Sequence, residues 1–211
     1  FAAGLLAVFS GYYIPFYSTT DTFSIYMLLG IFFFLLLGFA MTHLDPRSRS
    51  LVSVGLGLVA GLAHFSRADG ILWLAMALLS VMLLRESSSK RQMSLLVFVF
   101  IGYLVVMTPW FLRNYSEFGT PLAPGGNHAF WLTSYDQTFS YPASKLNFNS
   151  WLDSGWRAIM KSRLDAVIWN LQTAWAVQGA IFLLPFILVG LWLFRTDLRI
   201  KIGILAWILT F

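Results

Sequence analysis

The chain has 211 residues, of which 58% are hydrophobic and 11% charged, against roughly 25% charged in an ordinary soluble domain. Fourteen Lys and Arg against nine Asp and Glu give a formal charge of +5, and there is no Cys. Disorder, a collagen-like chain, a disulfide scaffold and thiolate metal sites are excluded, and so much apolar surface predicts an integral membrane protein.

A helix that crosses the hydrocarbon core needs about 20 apolar residues. In chain order, residues 1–16 read as the tail of a cut span and 22–43 as a full one. Residues 51–66 and 69–84 form two short spans joined by a tight turn, and 93–112 form another full span. A polar stretch over 114–175 follows, then spans at 177–194 and, truncated, at 200–211. The expectation is an all-α integral membrane protein, a polytopic helical bundle of six to seven spans with one long outward-facing loop. Because the chain begins and ends inside apolar runs, it reads as an internal fragment of a longer protein.

Charge placement orients the bundle. The segments 45–49, 85–91 and 195–201 carry two, three and three basic residues, whereas 17–21 and 67–69 carry none and one. The positive-inside rule puts the first group in the cytoplasm. Segments 17–21, 67–69 and 114–175 then share the outer face. Within 114–175 four basic residues balance four acidic ones, so the net excess is an orientation signal and no nucleic-acid partner is expected. Short basic loops and the lack of Cys suit a multi-pass protein of a bacterial inner (plasma) membrane.

The outer loop divides in two. Residues 114–150 are rich in Gly, Pro, Asn, Ser and Thr and predict irregular structure. Residues 151–175 predict an amphipathic helix: Trp151, Leu152, Trp156, Ile159, Met160, Leu164, Val167, Ile168, Leu171 and Trp175 recur every three to four positions. Asp153, Arg157, Lys161 and Asp165 follow at i, i+4 steps on a polar face. Such a helix either lies in the membrane interface or packs on a loop domain. Further upstream, Gly57 and Gly61 form a Gly-x-x-x-Gly pair suited to close helix packing.

A few residues can carry chemistry. Arg67 and Asp69 place a charge pair at the turn between two short spans, where charge is costly unless paired or used. Arg67 either grips an anionic head group or pairs with Asp69, with Asp69 capping the next helix. Arg113 and Asn114 leave a span just after Pro109, which is placed to kink the last helical turn; Trp110 and Tyr115 suit an aromatic belt. Asn114-Tyr-Ser116 is also a glycosylation triplet. Asp21 opens a span as an N-cap, or else orients a substrate hydroxyl or a metal. Tyr135 and Asp136, with Phe139 and Tyr141 nearby, suit either sugar binding or a small loop core. His43, His64 and His128 are scattered; His64 lies within a span and reads as a bonded bundle residue. There is no catalytic-triad motif, phosphate-binding loop or dinucleotide fingerprint.

Two stretches resemble the multispan membrane glycosyltransferases of the GT-C class, near family 39 and its bacterial relatives. One is Gly61-Leu-Ala-His-Phe-Ser-Arg67-Ala-Asp69-Gly70, similar to a Gly-Leu-Ala-x-x-(Thr/Ser)-(Arg/Lys)-x-(Asp/Glu)-Gly segment. The other is Pro109-Trp110-Phe-Leu-Arg113-Asn114-Tyr115-Ser-Glu-Phe118-Gly119-Thr-Pro121, similar to a Pro-Trp-x-x-Arg-Asn-x-x-x-Phe-Gly-x-Pro pattern. The stretch from Trp131 through Tyr135-Asp136 to Tyr141-Pro142 is also similar to bacterial relatives. The resemblance implies transfer of a sugar from a polyprenyl-phosphate donor to a lipid, glycan or protein acceptor on the outer face. It gives Arg67 the donor phosphate, and makes Asp21 a weaker match to an acidic residue that opens a span. It sets the catalytic carboxylate in a first outer loop upstream of this chain, and implies no cofactor beyond an optional divalent cation. Two other readings compete: a transporter or flippase of lipid-linked saccharides, and a non-catalytic membrane scaffold.

Overall fold

A computed structural model describes residues 22–42, 45–84, 88–122, 128–134, 136–140, 142, 145–178 and 183–210. Of these, 85% are helical and none is in a strand, in keeping with the all-α expectation. The expected span at 1–16 and Asp21 lie outside the described residues, as do His43, Tyr135 and Tyr141. The chain divides into two compact units. The first takes in the described residues up to Trp110 together with Thr196–Thr210, and the second is Phe111–Arg195.

In the first unit, α1 (Phe23–Ala40) buries a single stripe of Leu29, Phe33, Leu37 and Ala40. Ile25, Leu28, Ile31, Phe32, Leu35 and Phe39 on its other faces are exposed. A helix apolar all round belongs in a core or in lipid, not against water. Next comes α2 (Pro46–Ser66), which starts five residues before the expected Leu51. The Asp45 carboxylate accepts from the amides of Arg47 at 3.0 Å and Ser48 at 3.1 Å, and Pro46 occupies the first helical position, where its missing N–H is not needed. The basic residues assigned to a loop therefore lie in the first helical turn.

A short 3₁₀ turn (Ala68–Gly70) leads into α3 (Ile71–Leu83). Then α4 (Ser89–Phe118) runs 30 residues through Pro109, past the expected exit at Leu112. At about 1.5 Å per residue it is about 45 Å long, more than the roughly 30 Å hydrocarbon core. Proline costs it one backbone hydrogen bond without ending it. Helices α1, α2 and α4 are long and apolar enough to cross a membrane.

Glycine sets how closely these helices approach. A Cβ on Gly57 would lie 2.9 Å from the Tyr103 nitrogen and closer still to the Val99 carbonyl oxygen, and one on Gly61 would lie 2.9 Å from the Val106 Cβ. Gly102 in turn meets the backbone of Val54 and Leu58. The Gly-x-x-x-Gly pair thus brings the α2 and α4 backbones into direct contact. Arg91 donates to the Pro46 carbonyl and to Ser50 Oγ, while Phe65 meets Trp110 edge-on, ring centres 5.3 Å apart. The two helices therefore run parallel. Arg47, Arg49 and Arg91 gather at one end of the bundle, and the Arg67 turn lies at the other.

The second unit holds the end of α4, a turn through Gly119 (φ +69°), a 3₁₀ turn at His128–Trp131 and a single helical turn at Gln137–Ser140. It continues with α5 (Phe148–Asp153), α6 (Trp156–Thr173), a π-helical turn (Ala174–Gln178) and α7 (Leu184–Leu193). The single amphipathic helix expected over 151–175 is thus divided. Gly155 has φ +82°, a left-handed conformation that glycine adopts readily, and this breaks the helix between Asp153 and Trp156. Back in the first unit, α8 (Leu198–Thr210) packs on α3 and buries Ile202 and Ala206. At its start Arg199 pairs with Asp197 at 2.8 Å, and that contact holds the Asp197 carboxyl below the usual carboxylate range. Helix α7, at 10 residues, is shorter than the span expected over 177–194, whereas α8, at 13 residues, matches the truncated span expected over 200–211.

Candidate functional site

At the α2–α3 turn the first unit sets two opposite charges side by side. Helix α2 stops at Arg67, whose backbone turns extended (φ −149°, ψ 143°) while its amide still bonds the Ala63 carbonyl at 3.0 Å. The chain folds back at once, with the Gly70 amide donating to the Arg67 carbonyl at 2.9 Å. Gly70 is required by space: a Cβ there would lie 2.2 Å from the Ala63 carbonyl oxygen.

The turn aims two side chains at each other. Arg67 Nε donates to Asp69 Oδ1 at 3.1 Å and an Nη donates to Asp69 Oδ2 at 3.3 Å, a two-pronged pair. Asp69 therefore does not cap α3. Gly70 holds the N-cap position and no side chain caps it, because the carboxylate is engaged by the guanidinium. The side chains of Arg67 and Asp69 remain 31% and 50% exposed, so the pair is accessible rather than sealed.

Aromatic rings hold the cation from another helix. The Arg67 guanidinium carbon sits 4.8 Å from the Phe23 ring centre and 5.5 Å from that of Tyr26, both on α1. Cation–π attraction of this kind is worth about 0.5–2 kcal/mol depending on desolvation. Tyr26 is itself fixed, since its hydroxyl accepts from Trp73 Nε1 at 2.8 Å. Trp73 packs edge-on against Phe33 and Phe34. Phe23, Tyr26 and Trp73 were not expected at this site. Their sequence signal is slight: an i, i+3 aromatic pair opens a helix at the bundle end where Arg67 lies. One turn below, His64 Nδ1 and the Tyr103 hydroxyl are 2.6 Å apart and their rings stack, so His64 is a bonded bundle residue.

Arg113 and Asn114 lie in the second unit, on the last turns of α4. Asn114 is fully buried. It donates through Nδ2 to the Pro121 carbonyl at 3.3 Å and accepts from Arg113 at 3.4 Å. It ties the Gly119–Pro121 turn to the helix, and its burial leaves no room for a glycan on the Asn114-Tyr-Ser116 triplet.

Asp136 is exposed, and its amide donates to Ser134 Oγ at 3.3 Å. Nearby, Trp131, Phe148 and Trp151 pack as a three-ring cluster with centres 5.3–5.9 Å apart, and Leu146 is buried. These three rings form a loop core of their own, whereas Phe139 is 75% exposed. Among the described residues no group of three or more His, Asp or Glu is placed to hold a metal ion.

The structure thus brings Arg67 and Asp69 together in one unit, and places Arg113, Asn114 and Asp136 in the other. Comparison with models of protein families, with curated proteins and with solved structures gave no significant match.

Proposed function

We propose that the chain is part of a membrane glycosyltransferase of the GT-C type, which moves a sugar from a polyprenyl-phosphate donor to a lipid, glycan or protein acceptor on the outer face of a bacterial plasma membrane. The observation that carries this reading is the held guanidinium of Arg67. It sits at the bundle end away from Arg47, Arg49 and Arg91, with Asp69 as its counter-ion and two rings flanking it.

A leaving phosphate develops charge that a preorganised cation stabilises. An incoming phosphate takes over the N–H groups that Asp69 engages, so the carboxylate holds the guanidinium in place until the donor arrives. The donor's hydrocarbon tail stays in lipid along apolar helix faces such as that of α1. Asp69, Arg113 and Asp136, with Asp21 and Tyr135, are the further candidates for contacting substrate. Asn114 acts through the turn it holds. The catalytic carboxylate belongs to the first outer loop, upstream.

The same reading covers the finer architecture. The bundle has six to seven spans, and 114–175 faces outward. Helix α6 lies in the interface on the exposed arc of Trp156, Met160, Leu164, Val167, Ile168 and Leu171.

The test is donor turnover by the full gene product in liposomes, using a radiolabelled polyprenyl-phosphate sugar and comparing wild type with Arg67→Ala. Turnover should collapse by at least about a hundredfold, as for loss of one charge-stabilising donor, while the thermal unfolding profile is retained. Equal turnover would return Arg67 to a structural role. Movement of the lipid between leaflets without sugar transfer would favour the flippase.

A further inference from the structure

We propose that the second unit carries a binding cleft for a saccharide bearing an anionic group, formed between Leu132–Ser134 and one face of α6. The cleft has a volume of about 630 Å³, within the roughly 300–1,000 Å³ typical of small-molecule sites. The α6 wall is made by Lys161, Ser162, Asp165 and Trp169, which recur at three- to four-residue spacing and so share a face. Arg163 also lines it. This face lies away from the exposed apolar arc of the same helix, so the cleft is not the surface assigned to lipid.

The opposite wall is preorganised. The Gln137 side-chain oxygen accepts from the Thr133 amide at 2.8 Å and the Ser134 amide at 3.3 Å, and its Nε2 donates to Thr133 Oγ1 at 3.0 Å. Ser134 Oγ accepts in turn from the Asp136 amide. With protein donors already supplied to both hydroxyl oxygens, Thr133 and Ser134 have their own O–H groups to donate. The wall therefore offers hydrogens and suits a ligand rich in acceptor oxygens.

The remaining groups narrow the ligand. Lys161 and Arg163 add positive charge for a carboxylate or phosphate. Asp165 can accept from ring hydroxyls. Trp169, 69% exposed, presents a flat apolar ring on which the C–H face of a sugar can lie. A bare anion uses the cations and neglects the ring; a neutral sugar does the reverse. Only an acidic sugar uses both.

The inference concerns binding alone and does not depend on transfer chemistry. The experiment is titration calorimetry on the full chain in detergent, without any donor. The probes are a glucuronic-acid disaccharide, glucose 6-phosphate, cellobiose and inorganic phosphate. Either acidic sugar should bind at least about tenfold tighter than cellobiose or phosphate, the loss expected for one charge-assisted hydrogen bond. Trp169→Ala and Lys161→Ala should each weaken it by about the same factor, and Trp169→Phe should retain most of the affinity. Both substituted side chains are exposed, so folding is not at stake; Gln137→Ala supplies an independent third variant from the opposite wall and should also weaken binding. Phosphate binding as tightly as the sugars would mean a simple anion patch and overturn the proposal. So would failure of both acidic sugars to bind, or affinity that none of the substitutions changes.

Discussion

Gly70→Ala tests the turn that holds Arg67. An added methyl carbon would lie 2.2 Å from the Ala63 carbonyl oxygen, 2.3 Å from its carbon and 2.4 Å from the His64 nitrogen. Ordinary non-bonded contact needs about 3.5 Å, so the turn must retreat by about 1 Å. All three obstacles are backbone atoms within a helix, and none can swing aside. Overpacking of this kind costs about 1–3 kcal/mol. For a chain of this size that lowers the unfolding midpoint by about 2–4 °C per kcal/mol.

Gly38→Ala is the matched control. It sits in α1 with nothing within 4 Å of its would-be Cβ, so it should gain about 0.5–1 kcal/mol from helix propensity. Thermal unfolding followed by circular dichroism in one detergent compares the two. The same chemical change should move the midpoint in opposite directions. A Gly70→Ala protein as stable as the Gly38→Ala protein would refute the close approach of the turn to α2.

Asp45→Ala should lower thermal stability at neutral pH by removing the cap of α2, whereas Asp45→Asn should retain most of it. Hydrogen bonds from Ser48 and from the Arg47 amide hold the Asp45 carboxyl below its ordinary range. Its contribution is therefore full above the unfolded-state value and is lost as pH falls through the lower folded-state one. The Ala-versus-wild-type difference should shrink across that acidic window, and a difference independent of pH would disprove the charged cap. Asn114→Ala should cost about 1 kcal/mol and free the Gly119–Pro121 turn, measured as faster limited proteolysis there. An unchanged cleavage rate would mean that the bond to Pro121 does not hold the turn.

Local patterns were the readable part of the sequence. The α2–α3 turn, the glycine pair and His64 as a bundle residue follow from spacing and residue type within one segment. The start of α2 at Pro46 is not visible in hydropathy, because the apolar run begins only at Leu51; Asp45-Pro46 is the one local signal of the helix opening. The break at Gly155 was missed because side-chain periodicity runs on across it while the backbone does not. Asp69 was expected both to pair with Arg67 and to cap α3; within this turn the pair forms and the cap does not. The aromatic cradle of Arg67 and the cleft beside α6 depend on residues far apart in sequence. No window of a single chain displays that Tyr26 faces Arg67 or that Thr133 lies across from Lys161.

The spacing of the Arg67–Asp69 pair also bears on biogenesis. A lone arginine raises the cost of inserting a helix through the translocon by about 2.5–3.5 kcal/mol at mid-membrane. Here the partner is two residues away, so the pair forms as soon as the turn does and requires no distant helix to arrive first. If, as proposed, these helices enter a bilayer, the α2–α3 hairpin does so with its tip electrically neutral. Asp69→Asn would leave that tip charged during synthesis, and the defect would fall on the yield of inserted protein before any folded molecule existed to be assayed.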